Sequence, residues 1–340
     1  MTSPDRQGLI TVCELGRLGD IVASEPIYRY LKKRYPDRRL RWYTREAYVE
    51  LLKYSPAVDE IVTVRDAREY LALKRELPPG TLSYELNFRD PDAPRRRTGG
   101  GPADFPSLLR QFAADAGLDD VPDETPEFHF RPGLTLTDMP EKYVVFHCCS
   151  NGRSRQWPRR NFQTVAQMFQ AAGYHVAEIG FQPMLDPSGP AYLDRTGKLD
   201  LQTAAKLIAG AQCFVGVESG FGHIANAVGT FAIIVTGKLR QHPDYVTYSG
   251  RFRRGENCNL VRFYDTASEE LPLAVVREAV RRWLAGEPMS GTECRIFCLT
   301  EQVKQLRGKR LFRLEQAVKA PFVRLVRAIA FHRLRHGGKR

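Results

Sequence analysis

Long apolar runs are missing from this sequence. The longest uncharged stretch, residues 219–237, holds His223, Asn226 and four glycines. It divides naturally into a helix and a strand, so we do not read it as membrane-spanning. A disulfide framework is missing too. The seven cysteines, at 13, 148, 149, 213, 258, 294 and 298, are odd in number and irregular in spacing, which favours a reducing compartment. The opening residues MTSPDRQG lack a basic start followed by an apolar run, so no secretory leader is expected. A dinucleotide fingerprint is also absent, because the turn after the first apolar run lacks the G-x-G-x-x-G spacing.

Charge is plentiful but unevenly placed. The chain carries 51 Lys and Arg against 39 Asp and Glu, a net charge of +12. Residues 301–340 alone hold twelve basic and two acidic residues. The remainder is close to neutral. This describes a globular body with a cationic tail suited to one anionic surface.

At 340 residues and 43% hydrophobic, the chain has material for two cores. Short β-branched or aromatic runs alternate with amphipathic stretches. Strands are expected at 9–15, 39–44, 60–64 and 82–88, and helices at 21–35, 46–54, 67–76 and 105–116. PEFHF (126–130) is a strand candidate. RPGLTLTDMP (131–140), with two prolines and a glycine, is expected to link two halves. The alternation restarts with strands at 142–148, 174–180, 213–217 and 231–237 and helices at 158–173, 201–211 and 220–229. Such alternation argues for α/β architecture with parallel sheets. The expected organisation is a first domain over 1–135, a second over 136–290 and basic helices over 291–340.

Three turns carry candidate chemistry. After the first strand come Gly16, Arg17, Gly19 and Asp20, where doubly wound sheets display functional groups. Asp20 reads either as a helix cap or as a general base that takes a proton from an attacking hydroxyl. Glu218, Ser219, Gly220 and His223 lie between a strand and a helix. Gly220 and Gly222 would let backbone approach a ligand, and the helix N-terminus would hold a diphosphate. The alternative is a structural turn with a buried histidine. In HCCSNGRSRQWP, Ser150, Asn151, Arg153 and Arg155 can donate to phosphate oxygens, or form a solvated basic loop. Cys148 and Cys149 read as strand-end residues rather than nucleophiles.

Together these motifs resemble glycosyltransferase family 9, the ADP-heptose:lipopolysaccharide heptosyltransferases. The resemblance rests on Leu18-Gly19-Asp20 with Pro26, on Ser150 and Arg155 before Trp157-Pro158, and on Glu218-Ser219-Gly220-Phe221-Gly222-His223. The stretch 196–211 matches as well, and the likeness spans about residues 8–290. It implies a GT-B fold: two Rossmann-like doubly wound domains facing a central cleft. It also implies an inverting, metal-independent transfer with no cofactor. Asp20 would be the base. Ser150, Asn151, Arg155, Glu218, Ser219, Gly220 and His223 would hold the donor diphosphate and sugar. The Leu199 backbone would meet the nucleobase, and a polar group near Gln182 the ribose. The sequence departs from the family at Glu218, usually Asp, at Arg155, Lys in better-known members, and at Lys238, often Pro. These departures bear on the donor sugar and the acceptor.

Arg17, Arg45 and Arg96 are the candidate acceptor-binding residues, the last in the glycine-rich loop 95–101. In the tail, Phe322, Val326 and Ile329 fall on one helical face, with Arg324 and Arg327 elsewhere. This reads as an interfacial helix on anionic lipid, or as a C-terminal helix packed on the body. No nucleic-acid module accompanies the charge. Cys258, Cys294 and Cys298 do not show zinc spacing, and whether they bind a metal stays open. The partners expected are a nucleotide-diphosphate sugar resembling ADP-heptose, a glycolipid acceptor and the inner face of a bacterial inner membrane. The competing readings are a related transferase with another donor or a protein acceptor, and a catalytically silent nucleotide-sugar-binding protein. Asp20 separates the enzymes from the silent protein.

Overall fold

The computed structural model describes residues 8–88, 105–150, 152, 155–236, 246–262 and 268–288. Asn151, Arg153, Arg96 with its loop, Lys238, Cys294, Cys298 and the basic tail lie outside the described residues.

The first half is a four-stranded parallel sheet. Its strands are β1 (Leu9–Cys13), β2 (Arg39–Thr44), β3 (Glu60–Thr63) and β4 (Leu82–Glu85), in the order β3-β2-β1-β4. β1 is central, pairing Val12 with Trp42 on one side and with Tyr84 on the other. Its alternation sorts two faces. Ile10 and Val12 enter a large apolar cluster, and Cys13 joins Tyr43, Val64 and Tyr70 on the opposite face. The helix expected over 21–35 is two helices, α1 (Leu18–Ala23) and α2 (Glu25–Arg34). The break falls at Ser24, whose hydroxyl donates to the Ile21 carbonyl at 2.8 Å. Pro26 follows in the first turn of α2, where its missing N–H costs nothing. After β2 come a short 3-10 turn (Glu46–Tyr48) and α3 (Val49–Leu52); α4 (Ala67–Lys74) and α5 (Leu108–Asp115) complete the half.

No helix or strand lies between Asp115 and Tyr143. The strand candidate PEFHF therefore does not pair. Side chains capture its backbone instead: the Glu127 N–H donates to Glu25 Oε2 at 3.0 Å, and the Gln202 amide donates to the His129 carbonyl at 3.3 Å. Alternating aromatic residues make a strand only where a sheet edge is free to receive them.

The second half is a six-stranded parallel sheet. It contains β5 (Tyr143–His147), β6 (His175–Glu178), β7 (Tyr192–Asp194), β8 (Cys213–Val217), β9 (Ala232–Thr236) and β10 (Cys258–Arg262), in the order β10-β9-β8-β5-β6-β7. The helices are α6 (Arg159–Ala171), α7 (Leu201–Gly210), α8 (Gly220–Val228), α9 (Gly250–Arg254) and α10 (Leu273–Leu284). β7, β10, α9 and α10 are elements the sequence reading does not assign. One apolar cluster joins the halves, with Ile10, Trp42 and Leu109 from the first and Phe214, Ile224 and Tyr248 from the second. Across it α1 packs directly on α8. No helix among the described residues is long and apolar enough to cross a membrane.

Candidate active site

A cavity of about 520 Å³ opens between the carboxyl ends of the two sheets, a volume suited to a small-molecule ligand. From the sequence-derived candidates it gathers Asp20, Ser150, Arg155, Leu199, Glu218, Ser219, Gly220, His223 and Arg17. Two described candidates do not line it. Gln182 and Arg45 are both exposed. Each sits within a few residues of a lining side chain, Phe181 and Tyr48. A ribose or acceptor contact at either position therefore receives no support from the cavity wall.

Asp20 is the third residue of α1, and its Oδ2 accepts from the Arg17 N–H at 2.8 Å. The cap and the cavity position are thus the same carboxylate in the same pose. Behind it lies Glu14, fully buried at the end of β1, whose Oε1 accepts from the Gly16 N–H at 2.6 Å. Burial, then the neighbouring Asp20 charge, hold the Glu14 carboxyl well above the usual carboxylate range. A Cβ on Gly16 would lie 2.6 Å from both Glu14 Oε1 and Asp20 Oδ2. Glycine stands there because two acids converge on it. Sequence reasoning missed Glu14, although an acidic residue ending an apolar strand is a visible signal.

The opposite wall is the N-terminus of α8. The Gly222 and His223 N–H groups turn back to the Ser219 carbonyl at 3.0 and 3.4 Å. Ser219 Oγ shares a hydrogen bond of 3.0 Å with Nδ1 of His147, at the end of β5. His147 was not among the candidates, yet it lines the cavity. Burial pulls its pKa down to about 4, so it is neutral at pH 7. His223 is lowered to about 3 by the same cause. Its ring is 2% exposed, packs 4.7 Å from the Tyr248 ring centroid and leaves Nδ1 buried without a partner among the described residues. It is a neutral seam residue as much as a donor.

The two helix glycines answer to packing. A Cβ on Gly220 would meet Leu18 Cδ2 at 2.6 Å, and one on Gly222 would strike the Tyr248 hydroxyl. Their bare Cα atoms admit α1 and Tyr248, and Gly220 also lines the cavity.

Arg155 and Glu218 form an ion pair, Nη1 to Oε2 at 3.0 Å, with side chains 26% and 8% exposed. The loop that presents Arg155 is pinned by Gln156. Its Oε1 accepts from the Ser150 N–H at 2.9 Å, and its Nε2 donates to the Cys148 carbonyl at 2.7 Å. The Ser150 hydroxyl accepts from Gly152 N–H at 3.2 Å. Cys148 is buried, its thiol pushed up by burial, and Cys149 is half-buried at the cavity wall. Cys258 is buried with Sγ 3.4 Å from the Phe252 carbonyl oxygen. Among the described residues one group of possible metal ligands converges: Glu25, Glu127 and His129. The Arg29 guanidinium already forks onto both Glu25 oxygens at 2.9 and 3.0 Å.

Comparisons with known proteins bear on the fold and the family. The family model described as glycosyltransferase family 9 (heptosyltransferase) matches residues 110–240. A solved glycosyltransferase family 9 structure from Veillonella parvula is similar at TM-score 0.63 and 15% identity, over 82% of this chain and 98% of that one. An E. coli ADP-heptose lipopolysaccharide heptosyltransferase II is similar at TM-score 0.59 and 16% identity, over 83% and 99%. E. coli heptosyltransferase WaaC, solved with ADP-2-deoxy-2-fluoro heptose, gives TM-score 0.56 and 15% identity over 81% and 99%. No curated protein sequence matches.

Two parallel α/β sheets around one cleft, with this family match, define a glycosyltransferase of GT-B-like fold. Within that class the chain resembles glycosyltransferase family 9, the heptosyltransferases.

Proposed function

We propose that this protein moves a sugar from a nucleotide-diphosphate donor to a hydroxyl acceptor by single displacement. The observation that carries the reading is the meeting of Asp20 and the α8 N-terminus in one cavity, one from each half. In the reaction the acceptor oxygen attacks the anomeric carbon from the face opposite the leaving group. Asp20 takes the hydroxyl proton as the new C–O bond forms. The bond from the anomeric carbon to the phosphate oxygen breaks, and the nucleoside diphosphate leaves with the electron pair. Charge on that leaving group meets the Gly220 and Phe221 N–H groups that open α8, the Ser219 and Ser150 hydroxyls and Arg155. One displacement inverts the anomeric configuration. The developing charge is covered by protein donors, so the scheme needs no metal.

The donor proposed is ADP-heptose-like, and the acceptor a lipopolysaccharide-type glycolipid. Supporting this, two similar structures are described as heptosyltransferases, one of them solved with an ADP-heptose analogue. The cationic segment 301–340 fits an acceptor held in an anionic membrane, which supports the proposal that the enzyme works at the inner face of the inner membrane. The test is turnover of a nucleotide-sugar panel with lipid acceptor, with and without chelator. Release of nucleoside diphosphate only with a heptose donor, unaffected by EDTA, is expected. Loss of activity on chelation would replace this scheme with a metal-assisted one. Flotation with anionic but not neutral vesicles, weakened by salt, is the matching result for the tail.

A further inference from the structure

Phe181 is 84% exposed, and among the described residues no other large hydrophobic side chain stands in solvent this way. A single exposed apolar residue is ordinary. Its position is what matters: Phe181 lies on the rim of the cavity, directly after β6. The backbone that carries it is held firmly. Ile179 N–H donates to the Phe146 carbonyl at 2.9 Å, and Gly197 N–H donates to the Gly180 carbonyl at 2.7 Å. The second bond ties the loop after β6 to the loop after β7, which supplies Arg195, Gly197 and Leu199 to the same cavity.

Strand order shows which part of a donor reaches this place. Neighbouring strands run β8-β5-β6-β7. The loop after β8 leads into α8 and faces Asp20, and the loop after β5 carries Ser150 and Arg155. A donor with its diphosphate on those two loops has its sugar toward Asp20. Its nucleoside then runs the other way, toward β6 and β7. Phe181 stands two strands from α8, roughly 10 Å at the usual strand spacing, which is the direction and reach of a nucleobase.

We propose that Phe181 stacks on the nucleobase of the donor, an affinity role for the nucleoside half that rests on the donor reading above. Every base offers a π-face, so the contact is indifferent to which base is present. The ring is mostly in solvent before binding, so removing it leaves the fold intact.

Calorimetric titration of the full chain and of F181A and F181Y tests this, with ADP, GDP, UDP and inorganic pyrophosphate as probes. For whichever nucleoside diphosphates the unmodified protein binds, F181A should weaken affinity by roughly 5- to 150-fold, the range for base stacking on an aromatic residue. Pyrophosphate affinity should stay within about twofold, since stacking involves the base alone, and F181Y should bind as the unmodified protein does. Equal nucleoside diphosphate affinity in F181A overturns the stacking role and leaves the donor reading standing. An equal loss for pyrophosphate also overturns it, because Phe181 would then act through the diphosphate loops. If the unmodified protein binds none of the three nucleotides, the donor reading falls and the stacking role with it.

Discussion

Leu18 occupies the space in which Gly220 would carry a side chain: a Cβ built on Gly220 lies 2.6 Å from both Cδ2 and Cγ of Leu18. The contact joins the two halves of the molecule at the point where Asp20 and the α8 N-terminus face one cavity. The distance between Asp20 and the α8 N-terminus is therefore set by the packing of Leu18 against Gly220.

G220A should destabilise the protein by about 1–3 kcal/mol, the usual cost of forcing a methyl into a packed contact. It should also lower transfer more than donor affinity, because it separates the halves. Trimming the partner relieves the clash, so L18A/G220A should be more stable than the sum of the single variants predicts. Urea denaturation of the four proteins measures this coupling. Strict additivity would show that α1 and α8 do not meet in solution.

The ion pair between Arg155 and Glu218 places a carboxylate beside the cation proposed to meet the diphosphate. R155A should weaken nucleoside diphosphate binding by about 1.5–3 kcal/mol, typical of a hydrogen bond to a charged group. E218Q removes the competing charge, so it should bind pyrophosphate more tightly than the native protein. The two variants should thus shift anion affinity in opposite directions by calorimetry. A loss in both would mean that Glu218 orients Arg155 rather than competing for it.

Stability should respond to pH in two opposed ways. His147 and His223 have folded values near 4 and 3, below the unfolded value near 6.5. The unfolded chain then binds more protons, so this stability is present above about pH 6.5 and is lost as pH falls toward those values. At pH 5 the loss is at most about 2 kcal/mol per histidine. Glu14 has the opposite sign. Its folded value is raised, so stability falls as pH rises from the ordinary carboxylate range through that raised value. E14Q keeps an acceptor for the Gly16 N–H and should be more stable than the native protein at alkaline pH. Thermal melts from pH 5 to 9 compare them. A native protein whose alkaline limb matches that of E14Q would show that Glu14 is ionised in the fold at little cost.

Much of the site could be read in the sequence because it follows strands. Asp20, Ser150, Arg155 and Glu218 each stand shortly after a run of β-branched or aromatic residues, and parallel sheets collect such positions at one edge. Residues at or just past the end of a strand were hidden. Glu14 and His147 look like ordinary strand ends until the fold shows what they face. The strand expected at 126–130 failed for a reason no local pattern contains: Glu25 and Gln202, distant in sequence, capture its backbone. β7 and β10 are the edge strands of their sheet, and Tyr192–Asp194 is too brief to show alternation. Gly220 and Gly222 show the converse limit. Their presence was legible, but the neighbours that require them, Leu18 and Tyr248, were not.

The most direct test of the account is D20N. Asparagine keeps the shape and the oxygen that accepts from the Arg17 N–H, and it removes the ability to take a proton. Nucleoside diphosphate release from ADP-heptose should be followed in the presence of a lipid acceptor, with donor affinity measured in parallel. Unchanged melting temperature and donor binding are expected, with transfer slowed roughly 10²–10⁴-fold. Transfer by D20N at the native rate would contradict it.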